Sequence, residues 1–186
     1  MKNLILFLFI VTMPFAQAQT FTLSPGQTEL TVDGTSSVHD WTIIAEEFDG
    51  KAEIVLEGNN IGDIKNLSFK VPVKSLKSGK SGMDDNTYKA LKEKSHPYIS
   101  YQLNSIESKE KAEGKQVLMT KGSLTIAGVT KVVNMKVTTD VTNGVVFSGN
   151  VSFNMSHFNI DPPTAVFGTI KTGDKITINF KANYTK

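Results

Sequence analysis

Few side chains in this chain could do chemistry, and their spacing argues against most of the chemistry they could do. There are three histidines, His39, His96 and His157. None has a second His, Cys or carboxylate at a metal-ligand spacing such as H-E-x-x-H. Cysteine is absent, which removes thiolate nucleophiles and disulfides together. No G-x-S-x-G elbow presents a serine. The acidic pairs Glu46-Glu47 and Asp84-Asp85 fall at a strand end and a helix start, where neighbours point apart, so they do not make an acid/base pair. Gly79-Lys80-Ser81 has the last residues of a phosphate loop. Position 74, where that loop needs its first glycine, is Lys, and no strand-to-helix unit surrounds it. His39-Asp40-Trp41 is the most suggestive group. Read as a strand, it puts His39 and Trp41 on one face and Asp40 on the other, which is no dyad. Trp41 then either fills a core while its polar neighbours find hydrogen bonds, or the group meets a ligand. The expectation is a protein with no catalytic residues and no metal ligands.

The elements that would carry these residues are strands. Val133, Met135 and Val137 alternate with polar neighbours. So do Val145, Phe147, Val151 and Phe153, and again Ile176, Ile178, Phe180, Ala182 and Tyr184. A period of two is a pleated strand with one wet and one dry face. Successive strands with large inward residues predict a barrel or a sandwich. Earlier strands are expected over Phe21–Val32 (broken at Ser24-Pro25-Gly26), Ser36–Glu46, Lys51–Glu57 and Leu67–Val73, with a hairpin closing at Phe48-Asp49-Gly50. Tyr98–Ile106 resumes β structure, then a charged turn, then a hairpin across Gly128-Val129-Thr130. Asn143-Gly144 is the strongest hairpin signal. One helix is predicted over Met83–Lys94, capped by Asp84 or Asp85 and ended by Pro97. The total is eight to ten strands and one helix. Trp41, Phe69, Tyr101, Phe147, Phe153 and Phe180 all take the inward parity. Parity alone fits a packed core and a lined cavity equally well.

Composition narrows the function classes. The net charge is +2, and all 20 basic residues are Lys. A balanced charge without any guanidinium fork argues against nucleic-acid binding. Residues 1–18 read as a secretory signal peptide: a basic start, the apolar run Leu4–Val11 and the small-residue pattern Ala16-Gln17-Ala18. Residues 19–186 then form one domain, and the expected location is periplasmic or secreted. No later apolar run reaches the roughly 20 residues of a membrane span.

The order and spacing of several short motifs resemble the YceI-like family of secreted, lipocalin-like proteins. They are Gly34-Thr-Ser-Ser-Val-His-Asp-Trp41, Phe69-Lys-Val-Pro-Val-Lys-Ser-Leu76, and Met83-Asp84 followed by Tyr88, Leu91 and Lys92. His96-Pro97-Tyr98-Ile99, Leu124-Thr-Ile-Ala-Gly-Val-Thr130, Asp161-Pro-Pro163 and Gly168-Thr-Ile-Lys171 complete the set. The resemblance implies an all-β fold, an antiparallel eight-stranded barrel with one short helix, around an elongated apolar cavity. It implies a polyisoprenoid ligand, an isoprenoid quinone or a polyprenyl phosphate, and no established catalytic residues.

Combined with the strand parity, this gives a candidate ligand-binding set. Trp41, Phe69, Val71, Tyr101 and Leu103 would sheath a long hydrocarbon tail together with Met135, Phe147, Phe153, Ile178 and Phe180. A polar head would sit at a barrel mouth near His39, His157 or Lys171. No cofactor is expected beyond a bound isoprenoid lipid, which is also the expected partner; homodimer formation is left open. The alternative is a structural or stress-related interaction protein with a filled barrel and no ligand.

Overall fold

The computed structural model describes residues 17–165 and 167–186. The leader read at residues 1–18 therefore lies, up to residue 16, outside the described residues. Twelve strands and one helix follow in chain order: β1 (Gln19–Leu23), β2 (Glu29–Ser36), β3 (Trp41–Ala45), β4 (Asp49–Glu57), β5 (Asn60–Pro72), β6 (Leu76–Lys77), α1 (Ser81–Ala90), β7 (Tyr98–Ala112), β8 (Lys115–Ile126), β9 (Val129–Asp140), β10 (Val145–Asn154), β11 (Thr164–Ala165) and β12 (Ile170–Thr185). Eight of them close a ring in the order β1-β4-β5-β7-β8-β9-β10-β12, with β12 returning to β1, and every pairing is antiparallel. This is the eight-stranded, lipocalin-like barrel with one short helix that the sequence predicted.

Three strand segments extend the wall on one side of the ring. β2 pairs with β12 and β3, and β3 pairs with β6. Each joins its ring strand through a local kink. A 3₁₀ turn at Pro25–Gln27 separates β1 from β2, and another at Val73–Ser75 separates β5 from β6. Residues 46–48 separate β3 from β4. The hairpin expected at Phe48-Asp49-Gly50 is therefore a bend, because β3 and β4 continue one path along different neighbours. Phe48 explains the bend by packing against Phe69, ring centroids 5.9 Å apart. Gly50 is needed for proximity rather than turning. A Cβ there would sit 2.6 Å from the Ser68 carbonyl oxygen and 3.0 Å from the Tyr184 hydroxyl.

Other boundaries shift for similarly local reasons. β3 begins only at Trp41, so His39 and Asp40 lie in the β2–β3 turn and share no strand face with Trp41. The Ser36 hydroxyl organises that turn by donating to the His39 carbonyl (2.7 Å). β7 runs to Ala112 where a charged turn was expected, because it stays paired with β8 down to Ala112–Lys115. The β8–β9 turn is Ala127-Gly128, with φ of 49° and 81°, a primed two-residue hairpin. Asn143-Gly144 does join β9 to β10.

The helix also departs from expectation. It spans Ser81–Ala90 and ends four residues before Lys94. Neither Asp84 nor Asp85 caps it. Lys80 occupies the N-cap position without a side-chain cap. The buried Asp84 carboxylate instead reaches back to accept from the Ser78 amide (2.8 Å) and hydroxyl (2.6 Å), which fixes the loop leading into the helix. Tyr88 anchors the helix to β6: its hydroxyl lies 3.0 Å from the carbonyl oxygens of Lys74 and Leu76 and accepts from the Lys77 ammonium at 2.8 Å. Among the described residues no helix is long and apolar enough to cross a membrane.

The far end of the barrel is closed by buried side chains. Ile54, Ile61, Leu118 and Val145 are fully buried there beneath Phe147 and Tyr184, whose rings meet edge to face at 5.8 Å. Gln116 acts as a side-chain strand: its amide accepts from the Ile61 N–H (2.7 Å) and donates to the Ile61 carbonyl (3.0 Å), tying β8 across to β5. Truncating Leu118, which is 0% exposed, leaves a hole that this rigid end cannot close. Leu118→Ala is expected to lower unfolding free energy by about 2–5 kcal/mol in urea titrations.

Candidate functional site

The interior parity that builds the barrel does not fill it. Two adjoining chambers occupy it, sharing a wall residue from β7 and one from β12. The deeper one has a volume of about 110 Å³, where about 10–15 Å³ admits one water. Phe69 and Val71 from β5, Tyr101 and Leu103 from β7, Met135 from β9, Phe147 from β10, and Ile178 and Phe180 from β12 face it. The outer chamber has a volume of about 470 Å³ and lies where β2, β3, α1 and the segment after β10 come together. Trp41, Phe153 and His39 line it. Ile99 and Ile178 line both, so the chambers meet at these two side chains.

Eleven of the twelve sequence-predicted residues thus face one chamber or the other. His157 does not. It is exposed on the 3₁₀ turn Met155–Phe158 and lines neither chamber. Lys171 is exposed beside the mouth, between the lining residues Ile170 and Thr172. His96 packs its ring against Gly128 of the β8–β9 turn. The sequence reading missed two groups of lining residues. Leu30, Leu124, Val133 and Val151 belong to the deeper chamber and share the inward parity of their strands, and Ile64 joins them through the register shift in β5 that breaks the parity there. Met83 and Asn86 on α1, Leu91 just after it, and Ile160 and Pro163 in the loop belong to the outer one. Apart from Ile64 the first group was available from alternation; the second lies on elements with no period of two.

The deeper chamber offers a ligand almost no polar contact. Its polar side chains are Thr120, Tyr101 and Tyr184. The Thr120 hydroxyl donates to the Met135 carbonyl (3.2 Å) and the Tyr184 hydroxyl to the Ser68 carbonyl (2.9 Å), while the Tyr101 phenol pairs with Thr120. All three are satisfied within the wall, so the surface presented inward is hydrocarbon. Burial raises the pKa of Tyr184 far above the ordinary phenol range, and it raises that of Tyr101 as well. The outer chamber is different. Ser36, His39, Lys80, Asn86, Thr87 and Thr172 add polar groups to an otherwise apolar wall.

Glycines keep the bore open by giving the large rings somewhere to lie. A Cβ at Gly34 would fall 2.2 Å from the Trp41 ring, and one at Gly122 would fall 2.3 Å from the Tyr101 ring. At Gly149 it would meet the Phe180 ring at 3.1 Å and the Lys136 carbonyl oxygen at 2.7 Å. Each ring lies flat over its glycine on a neighbouring strand. Trp41 is held there by its indole N–H, which donates to the Thr35 carbonyl at 2.9 Å. Among the described residues no group of three or more His, Cys, Asp or Glu side chains could hold a metal ion.

A closed antiparallel barrel with an apolar inner chamber and a polar-rimmed mouth defines the class: a lipocalin-like barrel. The chain belongs to the YceI-like family; residues 21–184 match the model of the YceI-like domain. The solved structures similar to it include Burkholderia cenocepacia BcnA, with a TM-score of 0.67 and 17% identity, covering 88% of this chain and 99% of that one. A polyisoprenoid binding domain from Saccharophagus degradans, implicated in plant cell wall breakdown, aligns with a TM-score of 0.66 and 10% identity, covering 89% and 97%. The Campylobacter jejuni YceI protein aligns with a TM-score of 0.58 and 16% identity, covering 100% and 94%. At these identities the likeness is one of fold. No curated protein matches the chain.

Two outcomes follow from the wall chemistry. Gly122→Ala forces the Tyr101 ring off its resting place, so the variant should lose about 1–3 kcal/mol of stability to overpacking. It should also bind an apolar fluorescent probe more weakly than the parent, as read by titration. The buried phenols add a pH dependence. Their folded pKa values lie above the unfolded value of ~10, so their contribution is fully present below that pH and is lost as the pH climbs through it toward the folded values. Denaturant titrations should show stability falling from about pH 10 upward, and falling less in Tyr184→Phe.

Proposed function

We propose that this protein binds an isoprenoid lipid, an isoprenoid quinone or a polyprenyl phosphate, as carrier, store or sensor and without catalysis. The tail would occupy the deeper chamber between Phe69, Tyr101, Met135 and Phe180. The head would rest in the outer chamber among His39, Lys80 and Asn86. The single observation that carries the reading is the gradient along one bore, from a chamber with every polar atom already paired to a mouth with polar side chains available. Each 100 Å² of hydrocarbon removed from water is worth about 2.5 kcal/mol, so a prenyl tail could be held without hydrogen bonds. The likeness to a polyisoprenoid binding domain supports the same ligand class. The leader read in the sequence supports a periplasmic or secreted location, where such a protein would meet lipids released from a membrane.

Native mass spectrometry after detergent-free purification tests this reading. The parent protein should carry an adduct in the mass range of a prenyl lipid, and Phe153→Asp, which puts a charge in the wall of the outer chamber, should lose it while keeping its far-ultraviolet circular dichroism. Unchanged occupancy in the folded Phe153→Asp variant would argue against a lipid-lined interior.

A further inference from the structure

We propose that the barrel mouth docks on a phospholipid bilayer through two apolar hairpin tips. The inference deepens the lipid-binding reading, on which it rests for its purpose, by assigning the surface through which the ligand would pass. Phe167 is fully exposed and Val38 is 64% exposed. Val38 stands in the β2–β3 turn and Phe167 in the β11–β12 turn. The two turns are tied together: the Ser37 N–H donates to the Lys171 carbonyl (2.9 Å), and the Lys171 N–H donates to the Ser37 hydroxyl (3.1 Å). Residues beside both tips line the outer chamber, Ser36 and His39 from one, Ala165 and Ile170 from the other. Phe167 also has φ of 52°, a left-handed conformation that is costly for a bulky side chain. The chain thus holds an aromatic ring in water, in a strained turn, at the edge of its own hydrocarbon-lined opening.

Area and charge select the occupant. A stable protein partner needs about 800 Å² on each side. One Phe brings about 150–250 Å² and a Val less, which is too little for a protein interface but enough for a wedge entering the boundary between headgroups and acyl chains. The β2–β3 turn and the segment from Thr164 to Lys171 contain one lysine, Lys171, and one aspartate, Asp40, so the tips hold no cationic cluster. Attraction to anionic headgroups therefore does not drive the docking, and added salt should not reverse it.

Co-sedimentation of the full protein with phosphatidylcholine vesicles, at low and at high salt, decides the matter. The parent should sediment with vesicles at both salt concentrations. The double variant Val38→Ser/Phe167→Ser should partition about tenfold or more weakly with unchanged circular dichroism and thermal midpoint, because both side chains are exposed. Absence of parent binding, equal partitioning of parent and variant, or loss of parent binding at high salt would overturn the proposal. A second arm loads both proteins with a prenyl lipid from detergent. Equal loading with unequal vesicle binding is the expected result and separates docking from ligand capacity. If neither protein loads, the lipid-ligand reading fails, while the vesicle result still decides the docking surface.

Discussion

Strand β12 has neighbours on both sides along its central stretch, from Ile176 to Lys181, and again at Tyr184, and the rest of the molecule depends on that double pairing. On one side β10 follows it from Lys175 to Tyr184. On the other, β2 and then β1 cover it in turn, across the 3₁₀ kink at Pro25–Gln27. A sheet closed this way has no open edge between its first and last strands, so the inward side chains of all eight strands face a common interior. Without cysteine there is no covalent staple, and closure rests on backbone hydrogen bonds and the apolar face they align. The same closure gives Ile178 and Phe180 a position opposite β5 and β7, where they complete the bore.

Closure alone would permit a solid core. The hollow depends on where the large rings lie. Trp41, Tyr101 and Phe180 each rest on a glycine of the adjoining strand, which spends a position that could have carried a packing side chain. A dry void of this kind costs roughly 24 cal/mol per Å³, on the order of 2–3 kcal/mol for the deeper chamber. The tightly packed far end, with Ile54, Leu118 and Val145 fully buried and Gln116 bridging to β5, offsets that cost. A hydrocarbon tail entering the chamber would recover the missing contacts, so stability and binding are linked through one volume.

The periodic part of this architecture was legible in the residues. β9, β10 and β12 alternate cleanly because one face is wet and the other dry, and alternation placed Phe69, Tyr101, Met135, Phe147 and Phe180 correctly on the inner wall. The bends were not legible. Phe48-Asp49-Gly50 has the composition of a turn, yet the glycine is there to admit Tyr184, a contact 134 residues away in the chain. His39 and Asp40 read as strand because the turn that holds them is organised by the Ser36 hydroxyl rather than by Gly or Pro. Asp84 had the position of a helix cap and is used on the Ser78 loop instead. The outer chamber draws Met83 and Asn86 from a helix, Leu91 from its C-cap and Ile160 from a loop. Their convergence comes from tertiary packing and leaves no spacing to read. His157 shows the converse: a plausible mouth residue by type that the 3₁₀ turn directs into solvent.

The central claim is that the barrel encloses a continuous dry bore sized for a hydrocarbon tail. An electron-density map of the protein crystallised after detergent-free purification tests it most directly. The account predicts elongated density running from the outer chamber between Ile99 and Ile178 into the space bounded by Phe69, Tyr101 and Phe180. A map in which those side chains close on one another, leaving no room for an acyl or prenyl chain, would contradict it.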